Sequence, residues 1–304
     1  MIAFSGVVSR AENKELLRHY HYKWRFLHQL RVPKKKMPCI FVDTAPWSGN
    51  VTVPSFAKPM AVIDHHVFKR RHREKWLDLV ADVRSGTGAS ASILYEYLMV
   101  CGITVPRWLA TIMTYAIATE TRDFSEHVTD LDLRAYHDLM PRANASILGD
   151  IRHAPLPRTY YAQLREAMQN AMVFGRVAWS HLKEVDKPEI VPEIAELLLR
   201  AERITWSFCT AWQQDSLLIS LRSDRRGAHC GSLLRSLIRK GGSAGGHDHM
   251  AAGFLDLKGL PIDQREEKRK ALIHGLVSRI EKRTVQPLEN PEPLVRDRYA
   301  EVMT

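Results

Sequence analysis

The sequence predicts an α/β protein in which a doubly wound, mostly parallel sheet is followed by a smaller, mixed α+β domain. Short apolar strands at 39–42 and 59–63 alternate with helical segments over the first 150 residues, and this alternation is typical of a parallel sheet. From residue 173 the pattern changes to strands joined by a short polar turn at 213–215, which favours antiparallel pairing.

Length and composition fit two globular domains. The chain has 304 residues, of which 26% are charged and 45% hydrophobic, as is ordinary for globular proteins. Its net charge of +10 suits an anionic partner such as a nucleotide, and it suits plain solubility equally well. The four cysteines lack CxxC spacing, which indicates buried thiols in a reducing compartment. No apolar run reaches the ~18 residues of a membrane span, so we expect a cytoplasmic protein with no membrane partner.

In the first domain, residues 1–150, strands are recognised as short apolar runs and helices by apolar residues three and four positions apart. Pro33 limits the first helix, and later prolines break the helical pattern. We expect, in order, a strand at 1–4, a helix through 16–27, strands at 39–42, 59–63 and 76–80, and helices at 93–98 and 108–120.

The second half of the chain is expected to have three parts. They are a helical linker at 151–172, a second domain at 173–286 and an extended, Pro-rich and charged tail at 287–304. Within the second domain we expect, in order, a strand at 173–179, a helix at 193–203, strands at 205–212 and 216–221, a helix at 228–240 and a strand at 251–257.

Metal-binding side chains follow two neighbouring strands of the predicted parallel sheet. Asp43 comes directly after the strand at 39–42, and Asp64, His65 and His66 follow the apolar run at 59–63. Open α/β sheets bind ligands at the carboxyl ends of their strands, and carboxylates and imidazoles suit Mn²⁺ or Mg²⁺. The structural alternatives are a carboxylate that caps a turn at Asp43 and a hydrogen-bonded histidine pair near a helix start.

Two motifs together resemble the DHH phosphoesterases that carry a DHHA1 domain. The first is Asp64-His65-His66, and the second, at 245–253, is similar to the GGHxxAAG signature of the DHHA1 domain. The chain looks most like the branch of small-oligonucleotide ribonucleases that also dephosphorylate phosphoadenosine phosphate. The resemblance covers nearly the whole chain and implies a DHH domain at 1–150 and a DHHA1 substrate-binding domain at 173–286.

The resemblance also implies a role for each matched residue. Asp43 would bridge two metal ions, and His65 would ligate one of them. His66 would contact the substrate phosphate, and Asp64 would orient the neighbouring imidazole, with His66 and Asp64 counted as catalytic. These four residues would form the centre at which a metal-activated water attacks phosphorus.

A third metal-ligating position is predicted at the end of a helix. The family usually has an Asp there, and Glu120 falls at the matching position, one methylene longer. A glutamate can ligate a metal, and Asp123 is the other candidate. An ordinary acidic helix end is the structural alternative for both residues.

The substrate-binding residues are predicted in the second domain. Arg222 lies in a segment similar to the family's SLRS sequence, whose arginine reaches the substrate. Gly245, Gly246 and Gly253 would let backbone N–H groups approach a phosphate, and His247 would add a side-chain donor. A surface arginine and a turn between helix and strand are the structural alternatives.

The family's first motif, of the type H-x-x-x-D-x-D, is not found before Asp43. One explanation is a sequence that starts at an internal Met, with about 40 further residues upstream, roughly one βα unit. The other is a degenerate homologue that binds nucleotides without hydrolysing them. We prefer the first explanation because the remaining motifs are well kept.

These observations predict a metal-dependent phosphoesterase with two Mn²⁺ ions in its complete site and Mg²⁺ as the other candidate cofactor. Its substrate would be a short oligonucleotide, cut from one end, or a nucleotide phosphate such as a 3'-phosphonucleotide. The alternative is a non-catalytic, nucleotide-binding regulatory protein. The sequence leaves open the exact substrate, the direction of attack, the oligomeric state and the preferred metal.

Overall fold

The computed structural model describes residues 2–6, 8, 10–31, 35–46, 51, 53–66, 79–125, 127–238, 241–281 and 291–295. The chain divides into two compact units, Met1–Pro155 and Leu156–Thr304. The architecture is mixed α/β, with a three-stranded parallel sheet in the first unit and a separate, mixed seven-stranded sheet in the second. This confirms the predicted fold class, although the second unit holds the larger sheet.

In the described part of the first unit most strands precede the helices. Its elements are β1 Ile2–Phe4, α1 Ala11–Tyr20, β2 Trp24–Phe26, β3 Met37–Val42, β4 Ala57–Asp64, β5 Val80–Val83, α2 Ser90–Val100, α3 Arg107–Glu120, α4 Asp130–Leu139 and α5 Ala145–Arg152. The strands β3, β4 and β5 pair in that order and all run parallel. Their carboxyl ends therefore meet at one edge of the sheet.

Two expected elements of this unit differ in the structure. The first helix ends at Tyr20 instead of Leu27, because residues 24–26 form β2, parallel to β1. The rings of Phe4 and Phe26, which face each other in this pair, lie 4.3 Å apart. The strand predicted at 76–80 corresponds to β5, which begins at Val80. Positions 76–78 lie outside the described residues.

The second unit is a sheet covered by helices on both faces. Its elements are α6 Arg158–Gln169, β6 Met172–Phe174, β7 Val177–Glu184, α7 Ile190–Leu199, β8 Trp206–Gln213, β9 Ser216–Ser223, α8 Cys230–Leu237, β10 Gly242–Gly246, β11 Met250–Asp256, α9 Ile262–Glu281 and β12 Glu292–Pro293. The strand order is β10-β11-β9-β8-β7-β6-β12. Among these described strands, only β7 and β8 are parallel neighbours.

Successive residues of β8 pack in two different hydrophobic clusters. Phe208 packs in the cluster with Leu276 of α9, whereas Cys209 packs in the cluster with Ile194 and Leu198 of α7. Successive strand residues point to opposite faces, so α9 and α7 cover different sides. Helix α9 was missing from the sequence prediction, although its buried Leu272, Ile273, Leu276 and Val277 have helical spacing.

Three boundaries of the second half also differ from expectation. The strand predicted at 173–179 is a hairpin of β6 and β7, which turns at Gly175 with a φ of 58°. Helix α6, expected in a linker, lies within the second unit. From the predicted tail, β12 pairs with β6, and most of the rest lies outside the described residues. Across the described ranges, no helix is both long and apolar enough to cross a membrane.

His181 on β7 makes the stability of the fold depend on pH. Its Nδ1 is 3.0 Å from the Thr210 hydroxyl, and its ring packs edge-on against Trp212. Burial, together with the charge of Arg269, lowers the pKa of His181 to about 4. The unfolded chain, with a pKa near 6.5, therefore binds this proton first as the pH falls.

We expect the free energy of unfolding to decrease by about 2–3 kcal/mol from this group as the pH falls from about 6.5 to about 4. Urea unfolding at several pH values, compared between the native protein and His181→Gln, measures the contribution. In the variant, the free energy of unfolding should depend less steeply on pH between about 6.5 and about 4. Equal slopes in both proteins would contradict the prediction.

Candidate metal centre

Asp43 lies directly after β3, at the carboxyl edge of the parallel sheet. Its backbone N–H donates to the carbonyl of Ile63 at 2.9 Å, and its φ of 61° is a conformation that non-glycine residues seldom adopt. The hydroxyl of Ser90 donates to Asp43 Oδ1 at 2.7 Å. Asp43 is therefore held at the end of the strand through its backbone by β4 and through its carboxylate by α2.

Asp64 and His66 form a tight pair at the end of β4. Asp64 is fully buried and accepts hydrogen bonds from the backbone N–H of His66 at 3.0 Å and from its Nδ1 at 2.7 Å. Burial opposes ionisation of Asp64, but the hydrogen bonds from His66 outweigh it and lower the pKa of the carboxyl. The same hydrogen bond, partly offset by burial, raises the pKa of His66. Asp64 therefore orients His66 and favours its protonated form.

His65 points its Nε2 at two carboxylates. Nε2 lies 3.4 Å from Asp43 Oδ1 and 3.9 Å from Glu120 Oε2, while Nδ1 lies 3.2 Å from the carbonyl of Thr87. A carbonyl can only accept, so Nδ1 carries the proton and Nε2 has its lone pair available. Nε2 is buried and makes no hydrogen bond within the described part of the chain.

These side chains form a compact group of ligand atoms. One atom each from Asp43, His65 and His66 can be chosen so that all three lie within 4.8 Å of one another. The Asp43 carboxylate and the imidazole of His65, whose other nitrogen is fixed by a backbone carbonyl, are donors that suit divalent ions. The residues present therefore fit the metal that the sequence predicts.

Glu120, the last residue of α3, lies on the open side of this group. Its side chain is 44% exposed, and partial burial together with the charge of Asp43 raises the pKa of its carboxyl. Asp123, the other candidate, is 76% exposed and pairs with Arg152 at 3.1 Å. Of the two residues, Glu120 is the one that the structure places beside His65.

A loop that the sequence prediction did not assign to the site supports the group. Residues 85–90 supply the Thr87 carbonyl to His65 and the Ser90 hydroxyl to Asp43. The fully buried carboxylate of Asp132 accepts from the backbone N–H groups of Gly88 at 2.9 Å and Ala89 at 3.2 Å. A Ser- and Gly-rich segment directly before a helix was the signal that could have identified it.

Arg222 lies at the carboxyl end of β9 in the second unit. Only 6% of the residue is exposed. Its Nε donates to Glu196 at 3.2 Å, and its Nη1 donates to the Ser220 hydroxyl at 2.8 Å and to the Leu221 carbonyl at 3.0 Å. Arg222 is therefore not the surface arginine of the structural alternative, and its role in binding substrate stays a prediction.

The glycine-rich segment forms neighbouring strands. Gly245 and Gly246 lie in β10, and Gly253 lies in β11 opposite Ala244. A Cβ at Gly246 would lie 2.3 Å from the Met250 carbonyl, and one at Gly253 would lie 2.6 Å from the Ser243 carbonyl. At these two positions glycine permits close approach to the neighbouring strand. Gly245 has open space around it, and the predicted phosphate contacts of all three remain predictions.

A histidine that the sequence prediction missed lies beside this segment. The Nδ1 of His229, at the start of α8, is 2.7 Å from Asp248 Oδ1. His247 is bonded through its backbone, donating to the Met250 carbonyl at 2.8 Å and accepting from Gly231 at 2.9 Å.

The predicted site residues lie in two groups. One is the candidate metal centre in the first unit, and the other contains Arg222 and the glycine-rich strands in the second unit.

Known proteins are similar to this chain in sequence and in fold. No model of a known protein family matches the chain. An uncharacterized protein of Methanocaldococcus jannaschii is 27% identical over 285 residues, covering 92% of this chain and 56% of that protein. The chain therefore spans about half the length of this relative.

Among solved structures, an exopolyphosphatase-related protein from Bacteroides fragilis has a TM-score of 0.65 at 12% identity, covering 95% of this chain and 94% of its own. RecJ from Thermus thermophilus in complex with Mn²⁺ has a TM-score of 0.49 at 14% identity, covering 90% of this chain and 51% of its own. The chain shares the fold of the Bacteroides fragilis protein.

Proposed function

We propose that the protein is a phosphoesterase of the DHH type that depends on a divalent metal ion. The observation that carries the proposal is the convergence of Asp43, His65 and Glu120 at the carboxyl edge of the parallel sheet, with the buried Nε2 of His65 facing both carboxylates. A buried nitrogen without a hydrogen bond is costly, and a bound cation removes that cost.

In this proposal Asp43, His65 and Glu120 hold the metal. When bound, Mn²⁺ or Mg²⁺ would supply positive charge against the phosphoryl group and would lower the pKa of a water molecule, so that hydroxide is available as the nucleophile near neutral pH. The Thr87 carbonyl fixes the His65 tautomer, and Ser90 fixes the Asp43 carboxylate. Both contacts keep the ligand atoms in place before the metal binds.

The pair of Asp64 and His66 has a separate role in the proposal. The buried carboxylate of Asp64 favours the protonated imidazole of His66 by raising its pKa, and the imidazole can then donate a hydrogen bond to a phosphoryl oxygen. Such a charged donor strengthens its contact as negative charge develops on that oxygen during attack. His66 therefore acts on the substrate, and Asp64 positions it.

The proposed substrate is a short oligonucleotide or a 3'-phosphonucleotide, with Mn²⁺ or Mg²⁺ as the bound ion. This finer proposal is supported by the paired DHH and glycine-rich motifs and by the net charge of +10. Arg222 stays a predicted substrate-binding residue, whose guanidinium would hold a phosphate. The shared fold of an exopolyphosphatase-related protein is consistent with hydrolysis of a bond between phosphorus and oxygen.

The test uses purified protein expressed from the complete natural reading frame. The substrates are an RNA dinucleotide, a DNA dinucleotide and phosphoadenosine phosphate. Products are separated by chromatography after incubation with Mn²⁺, with Mg²⁺ or with EDTA. We expect turnover with the added ion and its loss in EDTA. The matched control is His65→Ala, and no turnover above this control rejects the proposal.

Calorimetry with Mn²⁺ and the RNA dinucleotide separates the enzyme from the non-catalytic alternative. Binding together with turnover supports the phosphoesterase. Binding of the dinucleotide that persists without hydrolysis identifies the nucleotide-binding regulatory protein instead. Absence of binding contradicts both functions.

A further inference from the structure

A second group of metal-ligating side chains lies in the first unit, on two helices that do not contribute to the candidate metal centre. Glu15 and His19 are one turn apart on α1, which places them on the same face of the helix. Asp150 comes from α5. Ligand atoms of the three residues all lie within 4.8 Å of one another.

His19 Nε2 lies between the two carboxylates. It is 3.3 Å from Glu15 Oε1 and 3.2 Å from Asp150 Oδ2. Even so, the buried nitrogen makes no hydrogen bond within the described residues. Among the histidines of the described part of the chain, only His19 and His65 have a buried ring nitrogen of this kind. Both face two carboxylates.

The two distances from His19 Nε2 to the carboxylate oxygens match those in a coordination shell. Tetrahedral Zn²⁺ with bonds of about 2.0–2.1 Å places neighbouring ligand atoms about 3.3 Å apart. The distances from His19 Nε2 to the two carboxylate oxygens, 3.3 Å and 3.2 Å, have this value. A direct charge-assisted hydrogen bond would be shorter, at about 2.7–2.9 Å.

The surroundings keep Glu15 oriented and leave a route for an ion. Arg18 donates to both oxygens of Glu15, through Nε at 2.9 Å and 3.0 Å and through Nη2 to Oε1, so this largely buried carboxylate is held in place. The side chain of Asp150 is 49% exposed. An ion can therefore reach the group from solvent on the Asp150 side.

We propose that Glu15, His19 and Asp150 form a Zn²⁺ site that joins α1 to α5. One imidazole and two carboxylates are ligands that Zn²⁺ accepts, and three protein ligands leave a fourth position for water. Zn²⁺ also binds such nitrogen and oxygen donors more tightly than Mn²⁺ does. The site is independent of the proposed phosphoesterase activity, and its role is to hold the two helices together.

The experiment uses the whole chain with the candidate metal centre disabled by Asp43→Asn and His65→Ala. Zinc content after dialysis and the thermal unfolding midpoint with and without Zn²⁺ are measured. We expect one Zn²⁺ per chain and a midpoint that rises with Zn²⁺. Adding His19→Ala should weaken binding at least about tenfold and remove the rise.

Glu15→Gln, which keeps the side-chain volume, should give the same loss of binding, and His153→Ala, just after α5, serves as the control that retains it. Absence of Zn²⁺ binding in the background protein overturns the proposal. Binding that is unchanged by His19→Ala also overturns it. A lower midpoint in His19→Ala that is the same with and without Zn²⁺ identifies an ion pair between the helices and rejects the metal site.

Discussion

Replacing Asp43 by Asn is expected to lower metal-dependent phosphoester hydrolysis at least about a hundredfold. Loss of residues that only orient a ligand already costs about 10–100-fold in affinity or activity, and Asp43 is itself a proposed ligand, 3.4 Å from His65 Nε2. The neutral amide offers the metal a weaker donor while keeping nearly the same volume. The measurement is kcat/KM for the RNA dinucleotide at increasing Mn²⁺ concentration.

Ser90→Ala is the matched comparison for this change. Ser90 contacts Asp43 through one hydrogen bond of 2.7 Å, so its removal should weaken activity by no more than about tenfold. Part of that loss should be recovered at high Mn²⁺, because the ligand itself is still present. Activity of Asp43→Asn within about tenfold of the native protein would show that Asp43 is not a metal ligand.

Replacing Asp132 by Ala is expected to lower the free energy of unfolding by about 3–5 kcal/mol. The fully buried carboxylate accepts from the backbone N–H groups of Gly88, Ala89 and Thr129 and from the Thr129 hydroxyl, at distances from 2.6 to 3.2 Å. Its removal leaves the buried N–H groups of Gly88 and Ala89 and the partly buried donors of Thr129 without this acceptor, at about 1–3 kcal/mol for each buried donor before relaxation. Urea unfolding followed by circular dichroism measures the change.

Asp130→Ala provides the control on the same helix. Asp130 is the exposed first residue of α4 and contributes only its interaction with the helix dipole, about 0.3–1 kcal/mol. An Asp132→Ala variant that is no less stable than Asp130→Ala would contradict the prediction. Because Asp132 holds the loop that carries Thr87 and Ser90, its replacement should also weaken Mn²⁺ binding at the candidate metal centre.

The strands that carry the candidate metal centre were predictable because their signal is local. A short apolar run that ends in a charged residue needs no distant contact to be recognised, and β3 and β4 end at Val42 and Asp64 as that pattern indicates. The helix predicted through Leu27 was wrong for the opposite reason. Residues 24–26 have spacing compatible with a helix, and their pairing with β1 decides the outcome.

Helix α9 was not predicted from the sequence, for a different reason. Its apolar residues have clear helical spacing, but many charged residues surround them, at positions 263, 265–270, 279 and 281. The buried residues Leu272, Leu276 and Val277 belong to a hydrophobic cluster on one face of the seven-stranded sheet. The helix is therefore stabilised by packing more than by its own composition.

The residues alone establish an α/β chain with carboxylates and imidazoles at the ends of two neighbouring parallel strands, because strand period and chain direction are properties of short segments. The tertiary structure decides which distant groups join them. Ser90 reaches Asp43 across 47 positions, and Asp132 holds Gly88 across 44. These contacts, like the approach of Asp150 to His19, depend on how helices pack, and packing is decided by many weak interactions spread over the whole unit.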